Sequence, residues 1–299
     1  MSLYSLWGAF EIGLIFGLVA LGVLISFRIL NFPDLTVDGS FPLGGAVAAI
    51  LIHHGMDPFT ATLCATLAGA VAGMITGWLN VSLKIMDLLA SILMMIALYS
   101  INLRVMGAPN IPLIAEPTIF SILQPDGLED YVARPLILLV LVIAIKLLLD
   151  WFFTTQIGLA MRATGSNPRM ARSQGIATGS MILLGMAISN ALCGLAGALF
   201  AQSQGGADIS MGIGTIVIGL AAVIVGESVM PSRRLLVTTL AVIVGAVLYR
   251  FFIALALNAD FVGLKAQDLN LVTAVLVTVA LVIPLIKQRF KAKGARRHA

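Results

Sequence analysis

Charged residues are scarce in this chain of 299 residues. Only 11% of them are charged, 60% are hydrophobic, and the mean hydropathy is +1.05. A soluble domain carries roughly 25% charged residues because its surface must face water. The chain therefore has too little polar surface for a water-soluble globule. We predict an all-α polytopic membrane protein in contact with the lipid bilayer, built as a single transmembrane domain over residues 1–299.

Residues that carry catalysis, nucleotide binding or metal binding are also few. The two cysteines, Cys64 and Cys193, lie far apart in apolar stretches, so we interpret both as small buried residues. No G-x-x-x-x-G-K-[ST] run is present to hold a nucleotide phosphate. No catalytic constellation stands out, and the net charge of +4 is concentrated in a few segments. We expect a protein that is not an enzyme, with no cofactor, no metal site and no nucleic-acid partner.

Apolar segments fill most of the chain. A helix needs about 20 apolar residues to cross a bilayer. The predicted spans are 7–28, 40–52, 59–80, 86–104, 133–153, 178–201, 213–230, 235–256 and 269–286. The second has only about 13 residues, too few to cross. It follows a run from Asn31 to Gly39 that contains Pro33, Asp34 and Asp38. Non-helical backbone at membrane depth must be buried or line a cavity, so we predict a broken or re-entrant second element.

The basic residues predict the orientation of the spans. The tail 287–299 contains six Lys or Arg residues and no acid, which predicts a cytoplasmic location. Counting spans back from it places Lys84, Arg234 and the loop 154–177 on the same side. The opposite side receives Asp208 and the acidic outer loop 105–132. Nine spans then place the N-terminus outside.

Two segments of the chain resemble each other. Asp34–Gly39 precedes Gly45, and Asp208–Gly212 precedes Gly219, with an odd number of spans between the two copies. An odd offset gives opposite orientations, which is typical of the inverted repeats of transporters. Gly/Ala-rich membrane segments can also resemble one another through composition alone, so both interpretations stay open.

Small residues recur at helical spacing in the third and sixth spans. They are Gly69, Gly73 and Gly77 in the third span and Gly185, Gly194 and Gly197 in the sixth. Such spacing allows two helix backbones to approach closely. We favour packing between helices of one chain over a seam between two copies.

Isolated charged residues within the spans have structural interpretations. Lys146 and Asp150 are four residues apart and can pair on one helix face. Glu11 and Arg250 lie close enough to the outer ends of their spans to reach the interface. The adjacent His53 and His54 do not share a helix face, which disfavours a metal site.

The loop 154–177 contains signals for a short helix. Ser166 or Asn167 can cap its start, Pro168 suits the first helical position, and Gly175 can end it, which predicts a helix over 168–174. Arg169 and Arg172 make this helix basic. A topology signal alone explains the arginines, but it does not explain the cap, the proline and the glycine. We also expect positive φ angles at Gly165 and Gly175.

This loop resembles a known family. Its pattern G-x-x-x-R-A-x-G-x-N-x-x-x-A-x-x-x-G-I is similar to the coupling-helix loop of the permeases for branched-chain amino acids, ribose and nucleosides. The matching positions are Gly158, Arg162, Ala163, Gly165, Asn167, Ala171, Gly175 and Ile176. Asp34-Leu-Thr-Val is similar to a run of the sugar branch, and Asn31-Phe32 to the amino-acid branch. The chain departs from the family at Asp38, Arg169, Met170 and Val225, which leaves the substrate open.

The resemblance implies the permease subunit of an ATP-binding-cassette importer of a bacterial inner membrane. Its partners would be a separate ATPase that binds ATP and Mg²⁺, an extracytoplasmic substrate-binding protein, and a second permease chain in a homodimer. The closest resemblance is to permeases for tryptophan or tyrosine, which implies an aromatic or branched-chain amino acid as substrate. An ion- or proton-coupled secondary transporter is the alternative.

Two sets of site residues follow from these interpretations. The expected contacts with the ATPase are Arg162, Gly165, Asn167, Arg169, Arg172 and Gly175. The residues expected to line the translocation pathway are Asp34, Asp38, Gly39 and Asp208. For Asp34 and Asp38 the alternative is that they cap helix ends.

Overall fold

A computed structural model describes residues 3–114, 116–124, 129–232 and 234–257, together with Val275 and Thr278. The helices are α1 (Leu3–Val23), α2 (Val37–His53), α3 (Pro58–Val81), α4 (Asp87–Met106), α5 (Ile119–Leu123), α6 (Asp130–Thr154), α7 (Gln156–Ser166), α8 (Pro168–Ser173), α9 (Thr178–Gln204), α10 (Thr215–Val229) and α11 (Leu235–Leu257). Two short strands, β1 (Asn110–Pro112) and β2 (Gly206–Asp208), complete the fold.

Seven helical segments in the described part of the chain are long and apolar enough to cross a membrane. The shorter apolar helix α2 accompanies them. The prediction of an all-α polytopic membrane protein is therefore confirmed. The tail 287–299 lies outside the described residues. The same holds for the ninth predicted span, 269–286, except for Val275 and Thr278.

The break between the first two membrane helices is present as predicted. α1 ends in a π-helical turn, Leu24–Ile29, and non-helical backbone follows as far as α2, with Asn31 at φ 55°. α2 has 17 residues, about 26 Å at 1.5 Å per residue. This length is below the roughly 30 Å of the hydrocarbon core. The short second helix is thus confirmed, and its irregular approach is buried rather than lipid-facing at Leu30 and Phe32.

α9 lies at the centre of the bundle, packed against α1, α2 and α3. Small residues make this possible, because a Cβ at Gly69 or Gly73 of α3 would overlap a carbonyl oxygen of α9. A Cβ at Gly197 would likewise overlap the carbonyl oxygen of Phe41 in α2. Packing between helices of one chain, the interpretation favoured from the sequence, is therefore confirmed at these positions.

The loops gather at opposite ends of the bundle. β1 pairs with β2 in antiparallel register, with Asn110 opposite Asp208, so the loop 105–132 and the segment after α9 share one end. At the other end Arg28 forms an ion pair with Glu227, beside Arg162. The loop 154–177 and the segment after α10, which charge assigned to one side, therefore lie together. Which of the two ends faces the cytoplasm stays a prediction.

The isolated polar residues largely behave as expected. Lys146 pairs with Asp150 at 2.6 Å, and Thr239 of α11 donates a hydrogen bond to the same carboxylate. The predicted reach of Arg250 to the interface is wrong, because its guanidinium lies over the ring of Phe16 at 4.5 Å. Aromatic stacking offers a cation within the bundle a favourable contact.

The two cysteines differ in exposure. Cys193 is buried in α9, as expected, whereas Cys64 is exposed on α3. The expectation for Cys64 was wrong, because an apolar stretch indicates contact with the lipid or with the bundle but does not distinguish the two.

Candidate functional site

The predicted short helix in the loop 154–177 is present as α8. The Asn167 side-chain oxygen accepts a hydrogen bond from the backbone N–H of Met170 at 3.1 Å, and Pro168 occupies the first turn. Gly175 ends the segment at φ 82°, the left-handed conformation that favours glycine. Local capping chemistry thus defines both ends of α8, as predicted.

A second helix, α7, precedes α8 and was not expected from the sequence. Thr155 caps it by accepting from the N–H of Gly158. Gly165 lies inside α7, so the expected positive φ at this residue was wrong. Glycine suits this position for a steric reason instead, because a Cβ there would overlap the carbonyl oxygen of Ile29. Gly165 thus allows the loop to pack directly on the end of the π-helical turn.

The three arginines of the loop have different surroundings. Arg169 is exposed on α8, next to Met170, which is 59% exposed. Arg172 donates from Nε to the Thr178 hydroxyl at 2.8 Å, which ties α8 to the start of α9. Arg162 lines a cavity of about 370 Å³. The ATPase-contact role of these residues stays a prediction, and Arg169 and Met170 form an exposed surface of α8.

The cavity beside Arg162 connects the loop to two membrane helices. Arg28 Nε lies 3.0 Å from Glu227 Oε1, and both residues line this cavity together with Gly165. Arg28 belongs to the π-helical turn and Glu227 to the last turns of α10. π-helical turns interrupt regular helices frequently at functional sites. The wall of this cavity is therefore formed jointly by the π-helical turn, α7 and α10.

Asp34 is the centre of a buried hydrogen-bond network. Its side chain is 2% exposed and accepts from the Thr36 N–H at 2.9 Å and from the Asn190 amide at 2.8 Å. Asn190 in turn accepts from the Ser40 hydroxyl at 2.7 Å. The network fastens the irregular segment before α2 to the central helix α9. Asp34 does not line the cavity described next, and its expected place in the pathway remains untested.

Asp38 occupies the N-terminus of α10. Its carboxylate accepts from the backbone N–H groups of Ile216 at 2.7 Å and of Gly214 at 3.4 Å. These are orphan donors of a helix start, where a negative charge is favourable. From the sequence, Asp38 could either cap a helix or line the pathway. It caps α10, and it also faces a cavity.

This cavity lies between α2, α4 and the 3₁₀ turn Ile209–Gly212 that precedes α10, and we name it the α2–α4 cavity. Its volume is about 490 Å³. It is lined by Asp38, Gly39, Pro42, Met95, Ile96, Tyr99, Ser100, Asn102, Ile209 and Ile213. Two of the residues expected in the pathway, Asp38 and Gly39, therefore meet here.

Asn102 of α4 also lines the cavity, although the sequence did not identify it as a candidate site residue. It is 1% exposed, and its Nδ2 donates to the carbonyl oxygen of Gly39 at 3.1 Å. Its Oδ1 has no hydrogen-bond partner among the described residues. An uncharged amide inside an apolar span is a weak signal, but Met95, Tyr99 and Asn102 recur at i, i+4 and i+7, which places them on one helix face.

Asp208 lies apart from this cavity, at the end where β1 and β2 pair. Ser210 donates to its carboxylate from both its hydroxyl and its N–H, and the Asn110 amide donates at 3.3 Å. The Ser210 hydroxyl hydrogen bond is the main reason why the pKa of Asp208 lies below its ordinary value. Asp208 starts the turn into α10 and does not join Asp34 or Asp38.

The two similar segments of the sequence lie against each other. Each connects a long helix to a shorter one through irregular backbone, α1 to α2 and α9 to α10. A Cβ at Gly212 would overlap the carbonyl oxygen of Asp38, so the two turns are in direct contact. This arrangement agrees with a repeat, and its inverted orientation stays a prediction.

Comparison with known proteins gives a consistent result. The chain is 38% identical over 283 residues to the tyrosine transport system permease protein of Clostridioides difficile (strain R20291), covering 95% of this chain and 92% of the relative. It is 34% identical over 277 residues to an uncharacterized protein of Rickettsia prowazekii (strain Madrid E), covering 91% and 95%. Residues 8–284 match the family described as branched-chain amino acid transport system / permease component. The chain belongs to this family of membrane permeases.

Proposed function

We propose that this protein is the membrane subunit of an ATP-driven importer for an aromatic or branched-chain amino acid. A separate ATPase binds ATP and Mg²⁺ and docks on α8. The permease forms the translocation pathway together with a second copy of itself in a bacterial inner membrane. The name of the tyrosine transport relative supports an amino acid as the substrate.

The contact between Gly165 and Ile29 is the main observation that supports the proposal. It links the capped helix α8, through α7, to the π-helical turn at the end of α1. From there the Arg28–Glu227 ion pair reaches α10, whose opposite end is capped by Asp38 in the α2–α4 cavity. A push on α8 can therefore reach the membrane cavity through packed elements. The two-state switch itself is driven by nucleotide binding in the ATPase, because only differential binding shifts a conformational equilibrium.

The loop 105–132 is the proposed docking surface for the substrate-binding protein. It carries Glu116, Glu129 and Asp130, and α5 forms a short turn within it, capped by Thr118. Reversal of Glu116 and Glu129 to lysine is expected to weaken receptor binding, more strongly at low salt than at high salt. Surface plasmon resonance with the reconstituted transporter measures this, and an unchanged receptor affinity would leave the loop as a connector.

The proposal is tested on α8. Arg169→Ala combined with Met170→Ala should lower the affinity for the ATPase about tenfold, because a charged and an apolar contact are lost together. Arg234→Ala is the matched control, since it removes an exposed arginine outside the loop. Affinity is measured with the purified ATPase and the permease in nanodiscs.

The outcomes of these experiments distinguish three interpretations of the protein. Loss confined to the α8 variant supports coupling through this helix. Equal loss in the Arg234→Ala control would indicate general electrostatic attraction. Uptake by the permease alone in liposomes, driven by an ion or proton gradient without ATP, would instead establish the secondary-transporter alternative.

A further inference from the structure

Asn102, in the wall of the α2–α4 cavity, has a buried polar atom without a hydrogen-bond partner among the described residues. Nδ2 of Asn102 is committed to the carbonyl oxygen of Gly39, and a carbonyl can only accept. The orientation of the amide is therefore fixed, and Oδ1 is the atom left over. A buried acceptor without a donor costs free energy, so such a group in a cavity wall indicates a ligand that supplies the donor.

A second acceptor borders the same cavity. The Asp38 carboxylate accepts two backbone hydrogen bonds from the start of α10, but a carboxylate has roughly four acceptor positions. Asp38 directly precedes Gly39, whose carbonyl oxygen holds Asn102. Asn102 is thus held by the residue next to Asp38, and both residues line the same cavity. A carboxylate beside an amide oxygen suits an ammonium group, which is a donor in three directions.

The remaining walls are mostly apolar. Pro42, Met95, Tyr99 and Ile213 line the cavity, and Tyr99 supplies an aromatic face. Such walls favour an aromatic or large aliphatic side chain through burial and ring contacts. The hydroxyl of Ser100, also in the lining, can donate to a carboxylate. Binding sites for small molecules commonly combine an apolar pocket with a few oriented polar groups.

We infer that the α2–α4 cavity is the amino-acid subsite of the permease. The α-ammonium group of the substrate contacts Asn102 Oδ1 and the Asp38 carboxylate, and an aromatic or large apolar side chain lies between Met95 and Tyr99. This inference rests on the proposed transport function and adds the residues that select the substrate class. Recognition here is independent of the binding protein, because the acceptors belong to the permease.

Tyrosine binding to the permease–ATPase complex in nanodiscs tests the inference. Saturation-transfer NMR detects weak binding and gives an apparent Kd by titration. Asn102→Leu should raise the Kd of tyrosine at least about tenfold, because it removes a hydrogen bond to a charged group. Asn102→Asp should stay within about threefold of wild type, since the acceptor for the ammonium group is retained.

This pair of variants separates binding from structure. Both lose the hydrogen bond from residue 102 to the Gly39 carbonyl oxygen, so a purely structural role predicts an equal loss of binding. Asn80→Leu is the matched control, because it removes an asparagine that also donates to a backbone carbonyl, that of Ile85. Asn80 does not line the cavity, and its variant should bind tyrosine like wild type.

Substrate analogues test the same contact from the ligand side. Tyramine keeps the ammonium group and should compete with tyrosine, whereas 3-(4-hydroxyphenyl)propionate lacks it and should not. Tyrosine binding that survives Asn102→Leu, equal loss in both Asn102 variants, or absent saturation transfer with wild type would each overturn the inference. Uptake into proteoliposomes with and without ATP tests the transport function separately, so the two can fail independently.

Discussion

Gly165 of α7 lies directly against the carbonyl oxygen of Ile29, the last residue of the π-helical turn that ends α1. No side chain fits between the two backbones. The loop 154–177, which is proposed to contact the ATPase, is therefore in backbone contact with a membrane helix. Because packed interfaces of this kind shift between discrete arrangements rather than deforming continuously, displacement of α7 is expected to move the end of α1.

Gly165→Ala should therefore impair transport strongly. The added methyl group must displace α7 or the π-helical turn, and overpacking of this kind costs about 1–3 kcal/mol. Gly175→Ala is the informative comparison, because its surroundings are open and only its φ of 82° opposes a side chain. ATP-driven uptake in proteoliposomes should fall several-fold more for Gly165→Ala. Equal effects of the two variants would contradict a packing role for Gly165.

The ion pair between Arg28 and Glu227 should respond to charge exchange. Removal of either charge breaks the ion pair between the π-helical turn and α10 at the end where α7 packs, so coupling between ATP hydrolysis and uptake should decrease. The double variant Arg28→Glu with Glu227→Arg restores opposite charges and should recover coupling above either single variant. The ratio of ATP hydrolysed to amino acid taken up is the measurement. Failure of the exchange to recover any coupling would assign the two residues independent roles.

The Asp34 network should contribute to stability rather than selectivity. Asn190→Leu leaves one oxygen of a buried carboxylate without its donor and the Ser40 hydroxyl without its acceptor, at about 1–3 kcal/mol for each group. The Tm in detergent should therefore fall clearly. Adding Asp34→Asn should recover part of the loss, because a neutral amide replaces an unpaired charge.

Ser228→Ala serves as the control for this stability test. The Ser228 hydroxyl donates to the carbonyl oxygen of Ile224 in its own helix, and Ser228 is exposed. Its Tm should match that of wild type. A recovery variant that is less stable than Asn190→Leu alone would contradict the assignment of the loss to an unpaired Asp34.

The orientation of the chain can be tested by cysteine labelling. With Cys64 replaced by alanine, a cysteine at Glu116 should react with an impermeant maleimide in intact cells. A cysteine at Arg169 should react only after permeabilisation. Two further positions lie outside the described residues. A cysteine near Asp126, in the loop 105–132, should be labelled like one at Glu116, and a cysteine near Lys291, in the tail 287–299, should be labelled like one at Arg169. The opposite labelling pattern would reverse the orientation inferred from the basic loops.

Local sequence chemistry predicted a large part of the fold. Apolar runs gave the membrane helices, because helices long enough to cross a bilayer leave a compositional signature that needs no tertiary contact. The capped helix α8 was predicted for the same reason, since Asn167, Pro168 and Gly175 act on their own neighbours. α7 was missed because helix signals in the loop 154–177 were recognised only over 168–174, and the cap at Thr155 carries a weaker signal.

The sequence by itself determined that this protein is a helical membrane permease with a short second helix and a capped loop helix. Only the tertiary structure decided which polar residues act together. Asn102 reaches Gly39, and Asp38 reaches the start of α10, across 63 and 178 positions of the chain. No periodicity or spacing encodes such pairs, because they depend on how α2, α4 and α10 pack. The chemistry of the α2–α4 cavity is therefore a property of the folded bundle, whereas the membrane class is a property of the sequence.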